Sequence, residues 1–257
     1  MSKCTIIEMG GVKNGYFTRN HFIQAKELKN NLTNYDGDIY STIYKYDSTD
    51  LNTANFIAPL YLDLDIDDIE HNFIKIKQDL LLVMRRLKTL FSLSDKDIEL
   101  YFSGSKGFHI LISHNIFGFK PSRDINKQYK KIAVDLKTYT INQSVDTKIY
   151  DNKRLFRVPN TINHKTGLYK VPITYEKVKS INTYNELKAY ASSQKPMMPR
   201  IYKYNEKARL AFDELIEKID AEEKAKVNTK LAKEYIQRKE LLPCVQYILN
   251  HGAAKGN

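Results

Sequence analysis

Apolar and acidic residues alternate through FIAPLYLDLDID, a period-two pattern that predicts a strand over 56–67. The period then changes to that of a helix, with Phe73, Leu80, Met84, Leu87 and Phe91 on one face of 69–91. A strand followed by a helix opens an α/β arrangement. Two more apolar runs, IELYF at 98–102 and FHILI at 108–112, predict strands joined by the glycine-bearing loop 103–107, with Ser94 placed to cap a short turn before them. Residues 123–140 return to a helical pattern, and 17–33, FTRNHFIQAKELKNNLT, reads as a helix ahead of all of these.

The segment 146–175 alternates short β-prone pieces, RLFRV and GLYKVPI, with polar turns at 159–160 and 163–167. Thr183 and Glu186 fit a capping box that opens a helix to about Ser192. The fold expected is α/β in the broad α+β sense, a mixed sheet flanked by helices, forming a catalytic domain over 1–192. Two prolines in SSQKPMMPR predict a linker over 193–204. A charge-laced helical pattern then predicts a helical appendage over 205–257, and a new helix opening at 245–250 reads as a longer protein cut short, with further domains to follow. No internal repeat interrupts the chain.

Composition narrows the function classes. Cys4 and Cys244 are too few and too far apart for a disulfide framework or a four-ligand zinc site, so no zinc is expected, Cys244 reads as a buried structural thiol, and the setting expected is reducing and cytoplasmic. Nowhere do eighteen apolar residues run together, so no membrane association is expected. The net charge of +11 favours a polyanionic partner, and residues 1–200 hold +9 of it. A merely soluble basic surface has the same charge; chemistry has to decide.

Three motifs carry that chemistry. Asp63 and Asp65 of YLDLDID stand two apart on a predicted strand, which puts both carboxylates on one side about 6–7 Å apart at Cα, close enough to share hard cations. A solvated strand edge would hold acids at the same spacing, but Tyr61, Leu62, Leu64 and Ile66 mark the strand as interior, where acids need a metal or basic partners. The second motif, Ser103-Gly104-Ser105-Lys106-Gly107-Phe108-His109, lies between two strands and combines pliant backbone, hydroxyls, a cation and an imidazole, groups suited to phosphate oxygens. It is not a Walker loop, and a glycine hairpin with a cross-strand histidine is the bland alternative. The third is Asp146 followed by DNKRLFRVPNTINHKTGLYKVP, where Lys153, Arg154, Arg157, Lys165 and Lys170 sit among turn residues. That spacing suits a rigid anion-binding loop better than a solvated hairpin.

In order and spacing the trio resembles the archaeo-eukaryotic primase superfamily, which includes the small subunit of archaeal and eukaryotic replicative primases and the polymerase domain of bacterial end-joining ligases. The family shows an acidic DxD pair, a serine-glycine loop ending in His, a late single Asp, and a proline turn running into His and Lys-Thr-Gly. Here these are Asp63 and Asp65, Ser103 through His109, Asp146, and Arg157 through Gly167. Asn160-Thr161 and Asn163 depart from the family's usual small and apolar residues, which bears on nucleotide preference. The resemblance spans roughly 55–175 and is similar in kind to the catalytic domains of mobile-element primases.

The resemblance implies that Asp63, Asp65 and Asp146 bind two Mg²⁺ or Mn²⁺ ions, and that Ser103, Ser105, Lys106, His109, Arg157 and His164 hold the incoming triphosphate. Lys165 joins them or contacts template phosphate; Arg154 joins them or is a surface residue. The implied activity is template-dependent synthesis and extension of a primer, a DNA primase or primase-polymerase, with single-stranded DNA template, primer duplex and nucleoside triphosphates as partners. Two other classes remain open: a catalytically inactive single-stranded-DNA-binding replication module, and a metal-dependent nuclease using Asp63 and Asp65.

Overall fold

The acidic strand expected over 56–67 forms in two pieces of a chain whose first half runs β1 (Ile6–Lys13), β2 (Tyr16–Gln24), β3 (Ile39–Thr42), β4 (Lys45–Tyr46), β5 (Phe56–Ile57), β6 (Leu60–Asp65) and α1 (Ile69–Leu90). There follow β7 (Ile98–Phe102), β8 (Gly107–Ile112), α2 (His114–Phe117), α3 (Ile125–Lys137) and β9 (Leu155–Arg157). The remainder is β10 (Ile162–Asn163), β11 (Leu168–Tyr169), β12 (Val171–Pro172), α4 (Tyr175–Ser180), α5 (Tyr184–Ala191) and α6 (Glu206–Gln237). This computed structural model describes residues 3–197 and 199–237. The helix expected at 245–250 and Cys244 lie outside the described residues.

The fold is a mixed α+β arrangement of two antiparallel sheets with helices packed on them. One sheet orders its strands β5-β4-β1-β3-β9 with β2 added on β1; the other is β12-β7-β8-β6, and β10 and β11 form a small hairpin of their own. Burial follows the sequence pattern. On β6, Leu60, Tyr61, Leu62 and Leu64 are buried, and on α1 the stripe Phe73, Ile76, Leu80, Val83, Met84 and Leu87 faces inward, each large side chain contributing roughly 1.5–3 kcal/mol. Asp68 caps α1 by accepting from the His71 N–H.

The helix expected over 17–33 does not form. Residues 16–24 are a strand, followed by short 3-10 turns at Ala25–Glu27 and Lys29–Asn34. Asn14 and Gly15 both take positive φ, 50° and 79°, making a two-residue turn that pairs Lys13 with Tyr16. The strand's first six residues are exposed, so no apolar stripe marks it, and the turn sets its register.

The first compact unit ends at Asp213, taking in 193–204 and the opening turns of α6. Residues 193–204 contain no helix or strand, yet they are fastened. Arg200 donates to the carbonyls of Lys96 (2.9 Å) and Ile98 (2.7 Å), the Tyr202 hydroxyl donates to Glu99 (2.6 Å), and the Lys195 N–H donates to Asn160 (3.0 Å). Phe212 closes a cluster with Phe91, Phe117, Phe119 and Tyr129, the ring centroids lying 4.7–6.3 Å from its own. The second unit begins at Glu214 and is helical to Gln237 among the described residues. No described helix is long and apolar enough to cross a membrane.

Candidate active site

Strand β6 is hydrogen-bonded along both edges, and that fixes the acids. On one side its register with β8 sets Asp63 opposite His109 and Asp65 opposite Gly107. On the other side Leu64 bridges Val145, the Asp146 N–H donates to the Asp63 carbonyl (2.9 Å) and the Asp65 N–H to the Ser144 carbonyl (2.9 Å). Asp146 therefore stands directly across from Asp63, and cross-strand partners share a face of the sheet. Continuing outward, His109 pairs with Tyr101 of β7. One row across the sheet thus reads Asp146, Asp63, His109, Tyr101.

Asp65 stands on the same face two residues along, and Gly107 opposite it leaves it room. A Cβ at that position would collide with the Leu64 carbonyl oxygen and with Oδ1 of Asp65 itself.

Burial drives the Asp63 carboxyl well above the usual carboxylate range, and Asp65 and Asp146 push it further. Burial also raises Asp65, although Lys106 opposes the rise. Oδ1 of Asp63 is buried with no hydrogen-bond partner. An orphaned carboxylate oxygen beside two further acids, an all-oxygen donor set, fits a hard divalent cation such as Mg²⁺ or Mn²⁺, with Asp63, Asp65 and Asp146 as the residues able to hold it. Among the described residues no three His, Cys, Asp or Glu side chains are drawn into a preformed metal cage. Lys106 occupies the ground instead, with Nζ 3.5 Å from both Asp65 and Asp67.

The serine loop is built from its own side chains. Ser103 Oγ accepts from the N–H groups of Ser105 (3.3 Å) and Gly107 (3.2 Å), so this hydroxyl shapes the loop while Ser105 and Lys106 line the cavity. The Thr166 hydroxyl donates to the Gly104 carbonyl (2.6 Å), docking the Lys-Thr-Gly turn on the serine loop although the two are 62 residues apart in sequence. His109 is buried edge-on against Phe156, its ring centroid 4.5 Å away, with Nε2 3.5 Å from Asp63 and Nδ1 unpartnered. Burial first, then Lys170 and Arg157, lower its pKa well below the ordinary imidazole value, so it is neutral.

Arg157 and His164 are drawn together by a residue the sequence did not single out, Asp38. Arg157 forms a two-pronged pair with it at 2.8 and 3.2 Å, and donates also to the Ile162 carbonyl (2.8 Å) and the Tyr40 hydroxyl (2.8 Å). His164 meets the same carboxylate through its backbone N–H (2.9 Å) and Nδ1 (3.1 Å). Burial alone would raise the Asp38 carboxyl, but these bonds outweigh it and hold the group below the usual range. The pairing of Ile39–Thr42 with Leu155–Arg157, invisible in the sequence, brings Asp38 here.

A cavity of about 270 Å³ opens over this arrangement, lined by Asp63, Asp65, Ser103, Ser105, Lys106, His109, Arg154 and Arg157 with Tyr40 and Phe156. Acids and cations share the lining, with Lys106 reaching across to Asp65. Asp146, His164 and Lys165 stand outside the lining: Asp146 beside Asp63, and His164 and Lys165 exposed on the turn between β10 and β11. Lys170 is the second residue missed. In sequence it is one cation of the loop among five, yet it is buried, 2% exposed, and outside the cavity lining.

No family model matches the sequence, and no curated protein matches it. Among solved structures, the polymerase domain of Ligase D from Mycobacterium tuberculosis, in complex with DNA, aligns over 86% of this chain and 82% of its own at 14% identity and a TM-score of 0.45. At that identity and score the likeness by itself assigns neither activity nor substrate.

Proposed function

We propose that this chain is a nucleotidyltransferase that makes and extends primers on a single-stranded DNA template, a primase or primase-polymerase, using nucleoside triphosphates. The observation that carries the reading is a single cavity lined by two carboxylates of one strand together with Lys106, Arg154 and Arg157. Such a combination matches a substrate whose reacting end needs cations and whose leaving group needs donors. The order of the three motifs, which resembles archaeo-eukaryotic primases, supports the same reading.

In this reaction a primer's 3′-hydroxyl attacks the α-phosphate of the incoming nucleotide and pyrophosphate leaves. Asp63, Asp65 and Asp146 would hold the two divalent cations. Bound there, the cations favour the ionised hydroxyl and spread the charge of the phosphoryl oxygens. Lys106 swings from its acids to the phosphates as that charge arrives, and Ser105 donates from the same loop. His109, neutral and pinned by Phe156, keeps its ring in one orientation beside Asp63. Asp38 holds Arg157 and the turn bearing His164 and Lys165 against the triphosphate end, so these basic groups are oriented before substrate arrives. Arg154 is tied at Nε to the Ile149 carbonyl (3.0 Å) and borders the same cavity.

The test is incubation with labelled nucleotides, Mg²⁺ or Mn²⁺ and single-stranded template, with Asp63→Asn as the control. Synthesis by the wild type and a loss of at least about a hundredfold in the variant is the expected result. Degradation of the template would instead make the site a nuclease, and retention without either would make it a binding module.

A further inference from the structure

Lys170 does not line the cavity, and its ammonium makes no ion pair among the described residues. It lies between the rings of Tyr101 and Phe156, 5.1 and 5.4 Å from their centroids. Its position is set by backbone on both sides: its N–H donates to the Thr161 carbonyl (3.1 Å) and its carbonyl accepts from the Asn160 N–H (2.7 Å). The neighbouring Val171 pairs with Phe102, which brings Lys170 alongside Ser103 under the serine loop.

A lysine buried this way costs stability, and a methionine of similar length would fill the same space without that cost. Both rings belong to the site, since Tyr101 stands in the cross-strand row of His109 and Asp63, and Phe156 packs 4.5 Å from the His109 ring, whose Nε2 lies 3.5 Å from Asp63. Asp63 attracts it and Glu99 adds to that pull, whereas Arg157 repels it, and burial lowers the group to about 7. In return Lys170 is the strongest cationic influence on Asp63. Of the other cations nearby, Arg157 is paired with Asp38, Arg154 with Asp151, and Lys106 lies between Asp65 and Asp67.

We propose that Lys170 is a positioning charge of the candidate site: from outside the cavity lining it opposes a lone divalent cation at Asp63 and favours the phosphates of a nucleotide, so that cation and nucleotide enter together. The inference rests on reading the acid row as a cation site. It requires opposite effects on two ligands, because a fixed positive charge repels one and attracts the other, whereas damage to packing weakens both.

The experiment compares the full chain with Lys170→Met and Lys170→Arg, at a pH about one unit below the lysine's pKa so that the ammonium is charged. Mn²⁺ alone is titrated in one arm, and a nucleoside triphosphate with chelator in the other. Lys170→Met is expected to bind Mn²⁺ about tenfold tighter and the triphosphate about tenfold weaker, with Lys170→Arg close to wild type in both. Parallel weakening of both ligands, or no change in either, would overturn the proposal. So would a Lys170→Met protein that melts below wild type or fails to fold, since the burial argument requires the opposite. If wild type and Asp63→Asn alike bind no Mn²⁺, the acid row itself is not a cation site and the inference falls with it.

Discussion

Asp38 serves two side chains at once, and its loss has a readable pH signature. Its carboxyl is held below the usual range in the folded protein, so the stability it contributes is fully present above the unfolded value near about 4 and is lost as pH falls toward the depressed folded value. Asp38→Asn should therefore lower the melting temperature at neutral pH and make the acid limb below about pH 4 shallower than in wild type. The same variant should raise the apparent KM for nucleotide with little change in template affinity, because Arg157 and His164 lose the group that orients them. Identical acid limbs in the two proteins would remove Asp38 from this role.

Among the elements, α1 performs a task that its apolar stripe does not advertise. Asp79, fully buried in mid-helix, accepts from the N–H groups of Ile141 (2.9 Å), Asn142 (3.1 Å) and Ser144 (3.2 Å) and from the Asn142 side chain (3.1 Å). That turn leads directly into Val145 and Asp146, so the helix holds the third acid in register. Asp79→Ala should cost about 3 kcal/mol in denaturant unfolding, by orphaning buried donors, and should reduce incorporation although Asp79 is not among the groups lining the cavity. Unchanged incorporation at saturating metal and nucleotide would show that the turn needs no such anchor. These contacts also explain what sequence could and could not reveal. Period-two and helical patterns located β6, α1, β7, β8 and α3, since burial writes itself into those patterns. The β1–β2 hairpin has its signal in Asn14-Gly15, but the exposed strand after it carries no pattern. Asp38, Asp79 and Lys170 act through partners 119, 62 and about 100 residues distant in sequence, and such pairings leave no local trace.

For the whole molecule, charge is the property that reaches beyond any one contact. With +9 in residues 1–200, affinity for single strands should fall by about tenfold or more between 50 and 200 mM salt, which a binding titration at several salt concentrations measures. A flat response would make the basic excess incidental to nucleic acid. The two-sided pairing of β6 carries a different consequence, one of kinetics. Because the Asp65 and Asp146 amides are the two bonds that tie 144–146 to the outer edge of β6, Asp146 cannot part from Asp63 unless that bridge breaks. Heat inactivation should then keep pace with the opening of this edge, read as hydrogen exchange at the Asp65 and Asp146 amides.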